Sequence, residues 1–447
     1  MKGLYHSIAH GSLVIWLSRI VLKFLSFISF YLVVRALSLG DFGFITLALS
    51  ISGPVLGLSG LGLDDLVFAH GARMRGENKA QEFWPLFGGF CVIKAVVTFV
   101  IIGMLFFVRS LLGAQYVAIL DQYLVLLIVW IFITNFRSTT DFLLRMQERF
   151  RWFATANVIE NSSRLAMIVV LFFTHNLSVE MALASYVVSK VLSTIYTLPI
   201  LKVVTLQGAS FISMVKRYFL YIHGGAKWEV IRMVFGNLFS GIDQWIVGWL
   251  LGLETVALFS FAMSMNSFLA QALPFRQILA PILARTSSEA GSSSFVARRI
   301  AKYSTWMNTL LLSASLVAVP LIVLLIVPKY MAAVPVLFVL MLNQFINAFS
   351  TSQGSLMYAL REQKYLLGLS VFGTISSFTV LPLFTKWLGV YGAILESHLS
   401  SIVILALRER RLRARHGITT FLFRDLLVFD DYDKTILKRV WNKMTAR

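Results

Sequence analysis

Nine Lys and Arg residues lie inside stretches otherwise apolar enough to cross a bilayer, or at their ends: Arg19, Lys23, Arg35, Lys94, Arg164, Lys190, Lys227, Arg232 and Arg276. At ~1.5 Å of rise per helical residue, Lys23, Arg164 and Lys190 fall roughly 15 Å from the membrane surface. An unpaired charge at that depth costs about 2.5–3.5 kcal/mol even on a lenient insertion scale. Such groups must therefore face a protein interior or a wet cavity. A cavity with surplus positive charge suits an anion, a phosphate or pyrophosphate above all. Arg19 and Lys23 are four residues apart and share one helix face. Snorkelling at helix ends is the competing reading. It suits Arg35, Lys227 and Arg276, and Lys94 and Arg232 fit either one. Internal pairing is the other alternative, since Glu160 precedes Arg164 by one helical turn. The candidate cavity residues are Arg19, Lys23, Lys94, Arg164, Lys190 and Arg232.

The deep acids are fewer, chiefly Glu160, Asp243 and Glu396. Asp243, in "SGIDQWIVGWL", fits a substrate contact, a cation-coupling site or a partner for a neighbouring lysine. Asp64 and Asp65 fall near a span end, where a solvated interface explains them. Pro54, in "SGPVLGLSGLG", removes a backbone hydrogen bond. Pro274, Pro281, Pro320 and Pro382 recur in later spans. Interrupted helices are what alternating-access transporters use, and proline is also common in membrane helices for packing alone. Asp243, Glu160 and Pro54 are the coupling or gating candidates. There is no Walker loop, metal-ligand cluster or Ser/His/Asp set. The histidines are scattered, with His398 alone in its span, and Cys91 reads as a packing residue. No enzyme activity, metal or cofactor is expected.

The elements that position these residues follow from composition. Mean hydropathy is +0.78, with 58% hydrophobic and 14% charged residues, against about 25% charged in a soluble domain. Twelve apolar windows of helical length can be drawn, at 12–36, 44–68, 86–108, 117–136, 154–174, 179–201, 224–250, 256–283, 303–327, 335–357, 365–385 and 389–407. Strand-length alternation is absent, which argues against a β-barrel. No cleavable signal peptide is evident. One set of loops carries Lys2, Arg73, Arg75, Lys79, the arginines of "RSTTDFLLRMQERFRW", Lys202, Lys216, Arg217, Arg285, Arg298, Arg299, Lys302, Arg361 and Lys364. The other side holds Arg109, Lys329 and Lys386. The positive-inside rule then places both termini in the cytoplasm. It also explains the net charge of +19 without nucleic-acid binding. The tail, opening "RERRLRAR", reads as a solvated flank rather than a lipid-binding element. Short outer loops leave no room for glycosyltransferase or polymerase chemistry.

A repeat gives the spans a symmetry. "FITLALS" (44–50) and "LFSFAMS" (258–264) match in pattern, preceded at similar distances by Asp41 and Glu254. They join spans 1–2 and 7–8, so the halves point the same way. Near Asp41, "GDFG" reads as a short outer turn with its acid in water.

Three stretches, "RALSLGDFGFITLALS", "GLGLDDLVFAHGARMRGE" and "GIDQWIVGWLLGLETVALFSFAMS", resemble the polysaccharide-transport branch of the multidrug/oligosaccharidyl-lipid/polysaccharide exporter superfamily, typified by the Wzx O-antigen flippases. Asp64-Asp65 and the long basic tail depart from that pattern. The resemblance implies an all-α polytopic fold, with two six-helix bundles around a central cationic cavity. The bundles would be 1–204 and 224–407, with a cytoplasmic linker at 205–223 and a basic tail at 408–447. It further implies transfer of undecaprenyl-diphosphate-linked oligosaccharide units from the cytoplasmic to the periplasmic leaflet of a bacterial inner membrane. H+ or Na+ coupling and polysaccharide polymerase partners follow by the same resemblance. Asp243 matches the acid usual in the seventh helix. A cation-coupled multidrug exporter is the alternative on the same architecture.

Overall fold

The computed structural model describes residues 21–434 apart from 61–62, 65–66, 69, 72–73, 75–79, 110–113, 205–209, 224–226, 239–240, 272–289, 361 and 432. Lys2, Arg19, Asp65, Arg73, Arg75, Lys79, Pro274, Arg276, Pro281, Arg285 and Arg361 lie outside the described residues.

The described chain is helical and without strands. Its helices are α1 (21–36), α2 (Leu39–Ser50), α3 (Ser52–Ser59), α4 (Ala80–Arg109), α5 (Ala114–Met146), α6 (Phe150–Phe173), α7 (Val179–Thr197), α8 (Phe211–Tyr221) and α9 (Lys227–Leu238). There follow α10 (Ile242–Leu251), α11 (Leu253–Gln271), α12 (Ala290–Ile326), α13 (Ala333–Met341), α14 (Asn343–Ala359), α15 (Gln363–Leu388), α16 (Val390–His416) and α17 (Phe423–Leu427). Among the described residues, 10 helical stretches are long and apolar enough to cross a membrane. The two remaining expected spans have visible reasons to be missing from that set. The first begins outside the described residues, and the seventh is split into α9 and α10 on either side of Gly241, whose φ of 85° is left-handed.

Serines start three helices. Ser38, Ser178 and Ser210 each accept a hydrogen bond from an amide in the first turn of α2, α7 and α8. At the first corner this changes the expected picture. The "GDFG" segment is no turn: the turn falls at 37–38, and Asp41 sits in the first turn of α2. Glu254 occupies the first turn of α11, so both repeated acids oppose the positive end of a helix. The two corners also pack together. A Cβ on Gly43 would lie 2.0 Å from the Leu253 carbonyl oxygen, and one on Gly248 would lie 3.6 Å from Leu47. Phe42, Tyr330, Phe261 and Phe30 make a chain of ring contacts beside them.

Helix interruptions also fall elsewhere than proline alone suggests. α12 and α15 run unbroken through Pro320 and Pro382. The breaks are at Ile51, around Gly241 and at Leu342. Pro54 lacks the amide that would bond the Ser50 carbonyl, and Gly241 packs against Ser50. Two interrupted spans thus meet at their interruptions. One turn further on, Gly57 receives Asn237.

Packing sorts the chain into two units. The first comprises residues 1–261, 325–333 and 364–393. Within it α7 lies along α5 and α6, α9 against α3, and α8 along α4. The expected linker therefore contains an amphipathic helix. Tyr218 of α8 is fully buried and the Met214 carbonyl touches Gly89, while Ile212 stays 77% exposed. That combination suits a helix lying in the membrane interface.

The second unit comprises 262–324, 334–363 and 394–447. Here the described part of the tail, up to residue 434, is no solvated flank. Residues 418–434 fold back on α12: Asp433 accepts from Lys302, from Tyr303 (2.6 Å) and from Arg299 (3.0 Å). The Trp306 indole donates to the Leu426 carbonyl (2.9 Å) and stacks on Phe429. A basic composition suggests solvation because the acids that neutralise it lie in sequence far from their partners.

Candidate functional site

Within the first unit, a cluster of five cations and two acids is drawn from four membrane-length helices, which also carry Glu82, Arg109, Asp121, Arg151 and Glu180 towards their ends. α4 supplies Lys94, α5 supplies Arg137, Asp141 and Arg145, α6 supplies Glu160 and Arg164, and α7 supplies Lys190. Asp64, from the chain after α3, completes the group as its third acid.

Each acid has one clear partner. Lys94, 4% exposed, donates to Asp64 (3.1 Å) and to Ser138 (2.8 Å). Arg137, 2% exposed, pairs with Asp141 and donates to Ser193 (2.6 Å) and Asn157 (3.3 Å). Lys190 pairs with Glu160 at 2.8 Å. The alternative of a Glu160–Arg164 pair is therefore not realised. Helical spacing puts the two on one face, but the lysine of the neighbouring helix takes the carboxylate instead.

Two arginines remain without a carboxylate among the described residues. Arg164 donates to Asn161 (2.5 Å), which also accepts from Ser26 (2.9 Å), and rests over the Tyr186 ring. Arg145 rests over the Phe68 ring. The Nε of each is buried and has no hydrogen-bond partner among the described residues. Leaving a buried donor unmade costs about 1–3 kcal/mol, more for a charged group.

Arg145 lines a cavity of ≈ 460 Å³ together with Asp64, Lys94, Ser138, Asp141, Phe153, Gly57 and Asn237. The cavity thus presents two acids and two cations, and among the described residues one of those cations, Arg145, has no carboxylate partner. Bound anions such as phosphate accept charge-assisted hydrogen bonds that an arginine fork can give bidentately. Neutral solutes gain nothing comparable.

Of the candidates named from sequence, Lys94 lines this cavity, and Arg164, Lys190 and Glu160 belong to the adjoining polar cluster. Lys23 is exposed. Arg232 is half-buried, and its guanidinium touches the Met233 sulfur at 2.9 Å; Met233 itself borders the cavity. Asp243 follows the Gly241 break in the first turn of α10, where its carboxylate accepts from the Gln244 amide (3.1 Å). It joins no ion pair among the described residues. Pro54 lies in α3, close to the cavity-lining Leu56 and Gly57.

Arg137, Asp141 and Arg145 escape a reading of the sequence because "RSTTDFLLRMQERFRW" looks like a charged loop. α5 continues to Met146, leaving only 147–149 as the connection. A signal is present: Arg137, Asp141 and Arg145 recur every four residues, which places them on one helical face.

This is a multi-pass membrane protein, and its fold is similar to that of solved transporters. The chain is similar to an inward-facing multidrug resistance MATE family transporter of the MOP superfamily, at TM-score 0.71 and 15% identity, covering 88% of this chain and 95% of that one. It is similar to the lipid II flippase MurJ in an inward closed conformation, at TM-score 0.70 and 12% identity, covering 98% and 100%. It is also similar to a point mutant of the Vibrio cholerae MATE transporter VcmN, at TM-score 0.61 and 14% identity, covering 93% and 98%. No curated protein matches the sequence. The chain belongs to the family described as polysaccharide biosynthesis protein, which matches residues 8–287.

Proposed function

We propose that the protein is a flippase that moves undecaprenyl-diphosphate-linked oligosaccharide units, of O-antigen or a related surface polysaccharide, from the cytoplasmic to the periplasmic leaflet. The observation that carries this reading is the cation surplus in a cluster held by four membrane-length helices, with Arg145 at the cavity having no carboxylate partner among the described residues. An anionic diphosphate supplies what Arg145 lacks, and the lipid tail stays in the bilayer. Family membership supports the polysaccharide context, and MurJ, a lipid II flippase, has a similar fold. In this reading the 1–204 and 224–407 halves act as two bundles that alternate access. H+ or Na+ drives the cycle, Asp243, Glu160 and Pro54 serve coupling or gating, and polymerase machinery takes the product. The site of action is a bacterial inner membrane.

A multidrug exporter is the second reading, favoured by the similarity to MATE transporters. Cationic drugs, however, need acids without partners, and each acid of the cavity cluster is paired, which leaves Asp243 of α10 for such a role. The test is analysis of lipid-linked intermediates in a deletion strain. The flippase reading expects the undecaprenyl-linked unit to accumulate and surface polymer to disappear. Unchanged polymer in a strain with no redundant flippase, or a changed drug-susceptibility profile alone, overturns it.

A further inference from the structure

We propose that a groove at the basic end of α16 binds the headgroup of an anionic phospholipid. The groove measures ≈ 580 Å³ and is lined by Ala406, Glu409, Arg410, Arg413, Ala414 and Phe421. The first five recur at three- and four-residue spacing and so form one face of α16. Two alanines keep the floor shallow and apolar. Phe421, on the returning tail, forms the wall and is held by ring contact with Phe349 at 4.9 Å.

Charge in the groove is arranged for an anion. The Glu409 side chain is 8% exposed and fully engaged, accepting from Gln353 (3.1 Å), the Thr420 amide (3.2 Å), the Thr420 hydroxyl and Arg413 (2.8 Å). It therefore holds Arg413 at the rim and offers little repulsion. The other arginines of the run also have acceptors within the protein. Arg408 donates to Ser350 (3.0 Å), and Arg411 and Arg415 pair with Glu362 (3.0 Å each). Arg410 is exposed and has no such acceptor among the described residues.

The level in the membrane decides the ligand. The apolar run of α16 ends at Leu407, and the arginines begin at the next residue. Arg410 thus sits where a membrane helix leaves hydrocarbon for headgroups. A lipid there can place its phosphate on Arg410 and Arg413 and its glycerol and first methylenes over Ala406 and Phe421. A soluble anion has no use for that apolar wall.

The test uses the purified full chain in detergent, titrated with phosphatidylglycerol or phosphatidylcholine and read by native mass spectrometry. One phosphatidylglycerol is expected to bind in preference to phosphatidylcholine. Arg410→Ala should weaken phosphatidylglycerol binding about fivefold, the effect of one cation near an anionic headgroup, and leave phosphatidylcholine unchanged. Arg410→Gln, which removes the charge but keeps a polar, unbranched side chain, should do the same. Ala406→Trp, which fills the groove at constant charge, should also abolish the preference. Arg424→Ala, an exposed tail arginine outside the groove, should have no effect. Equal losses from Arg410→Ala and Arg424→Ala would mean diffuse attraction and overturn the site. Retained preference in Ala406→Trp, or displacement of the lipid by inorganic phosphate, overturns it as well.

Discussion

Replacing Asp433 with alanine asks whether charge holds the tail on α12. The Asp433 and Lys302 side chains are 1% and 2% exposed and in contact. The carboxylate also accepts from Tyr303, Arg299 and the Asp430 amide. Its removal leaves the Lys302 ammonium buried, with the Val428 carbonyl (2.5 Å) and the Trp306 ring beside it. Breaking a buried pair by deleting one partner costs about 3–5 kcal/mol, whereas an exposed pair is worth about 1 kcal/mol or less. At about 1.4 kcal/mol per decade, the detached population of the tail rises by roughly a hundred- to several-thousand-fold. Hydrogen exchange of the 423–434 amides in the full chain reads that population directly, and limited proteolysis of the tail checks it. Lys302→Met with Asp433→Leu removes both charges and should recover most of the protection, since paired buried ions replaced together are often neutral. Wild-type exchange in Asp433→Ala refutes the argument. So does a double variant no better protected than the single one.

Acid should release the same contact only late. Burial works to raise the Asp433 carboxyl, but hydrogen bonds from Lys302, Tyr303 and the Asp430 amide outweigh it and hold the group below the ordinary 3.8. A depressed folded value means stabilisation that is complete above 3.8 and lost as pH falls through the folded value. Tail protection should therefore be flat from pH 7 to pH 5, and a loss within that window contradicts it. In the cavity, Arg145→Ala should cut complementation of surface polymer at least tenfold, as loss of a charge-assisted bond of about 1.5–3 kcal/mol implies. Membrane levels of the protein should hold on immunoblots, and Arg145→Lys should retain part of the activity. Lys94→Met leaves the one-third-exposed Asp64 without its cation and should lower the unfolding temperature of the purified protein, with Lys94→Met/Asp64→Asn milder in the same thermal-unfolding assay. At the corner, Gly43→Val should lower the unfolding temperature through overpacking of about 1–3 kcal/mol. Gly103→Ala, with nothing within 4 Å, should be neutral or stabilising in the same assay.

Hydropathy and loop charge make most of the spans legible, because a bilayer imposes length and polarity with few alternatives. The cluster is half legible. Lys94, Arg164, Lys190 and Glu160 stand out as charges deep in apolar runs. Arg137, Asp141 and Arg145 do not, since a helix that continues past its apolar stretch looks like a loop to a hydropathy window. Partner choice is not legible at all. Helical spacing nominates Arg164 for Glu160, yet Lys190 on a different helix holds it at 2.8 Å. One-dimensional spacing ranks neighbours within an element, while packing of α7 along α6 decides which charges meet.

The repeated corner shows how a correct pattern can carry a wrong local reading. Asp41 and Glu254 suggest two outward turns, with glycines placed for bending. Only the second corner fits, where Gly252 adopts φ 86°. At the first, Ser38 makes the cap and Gly43 serves closeness, since no side chain fits between it and the Leu253 carbonyl. Both acids then have one job, opposing the dipole of the helix they begin. The equivalence that the repeat encodes is one of helix starts. Because these starts also pack on each other, a substitution at Gly43 acts on both corners at once. The atoms nearest to an added Cβ are the Leu253 carbonyl and the Ala257 amide nitrogen, the latter 3.3 Å away. Both are backbone, and no side-chain change removes them. Ala257→Gly should thus fail to rescue Gly43→Val, and recovery of the unfolding temperature would show that the corners are looser than their contact implies.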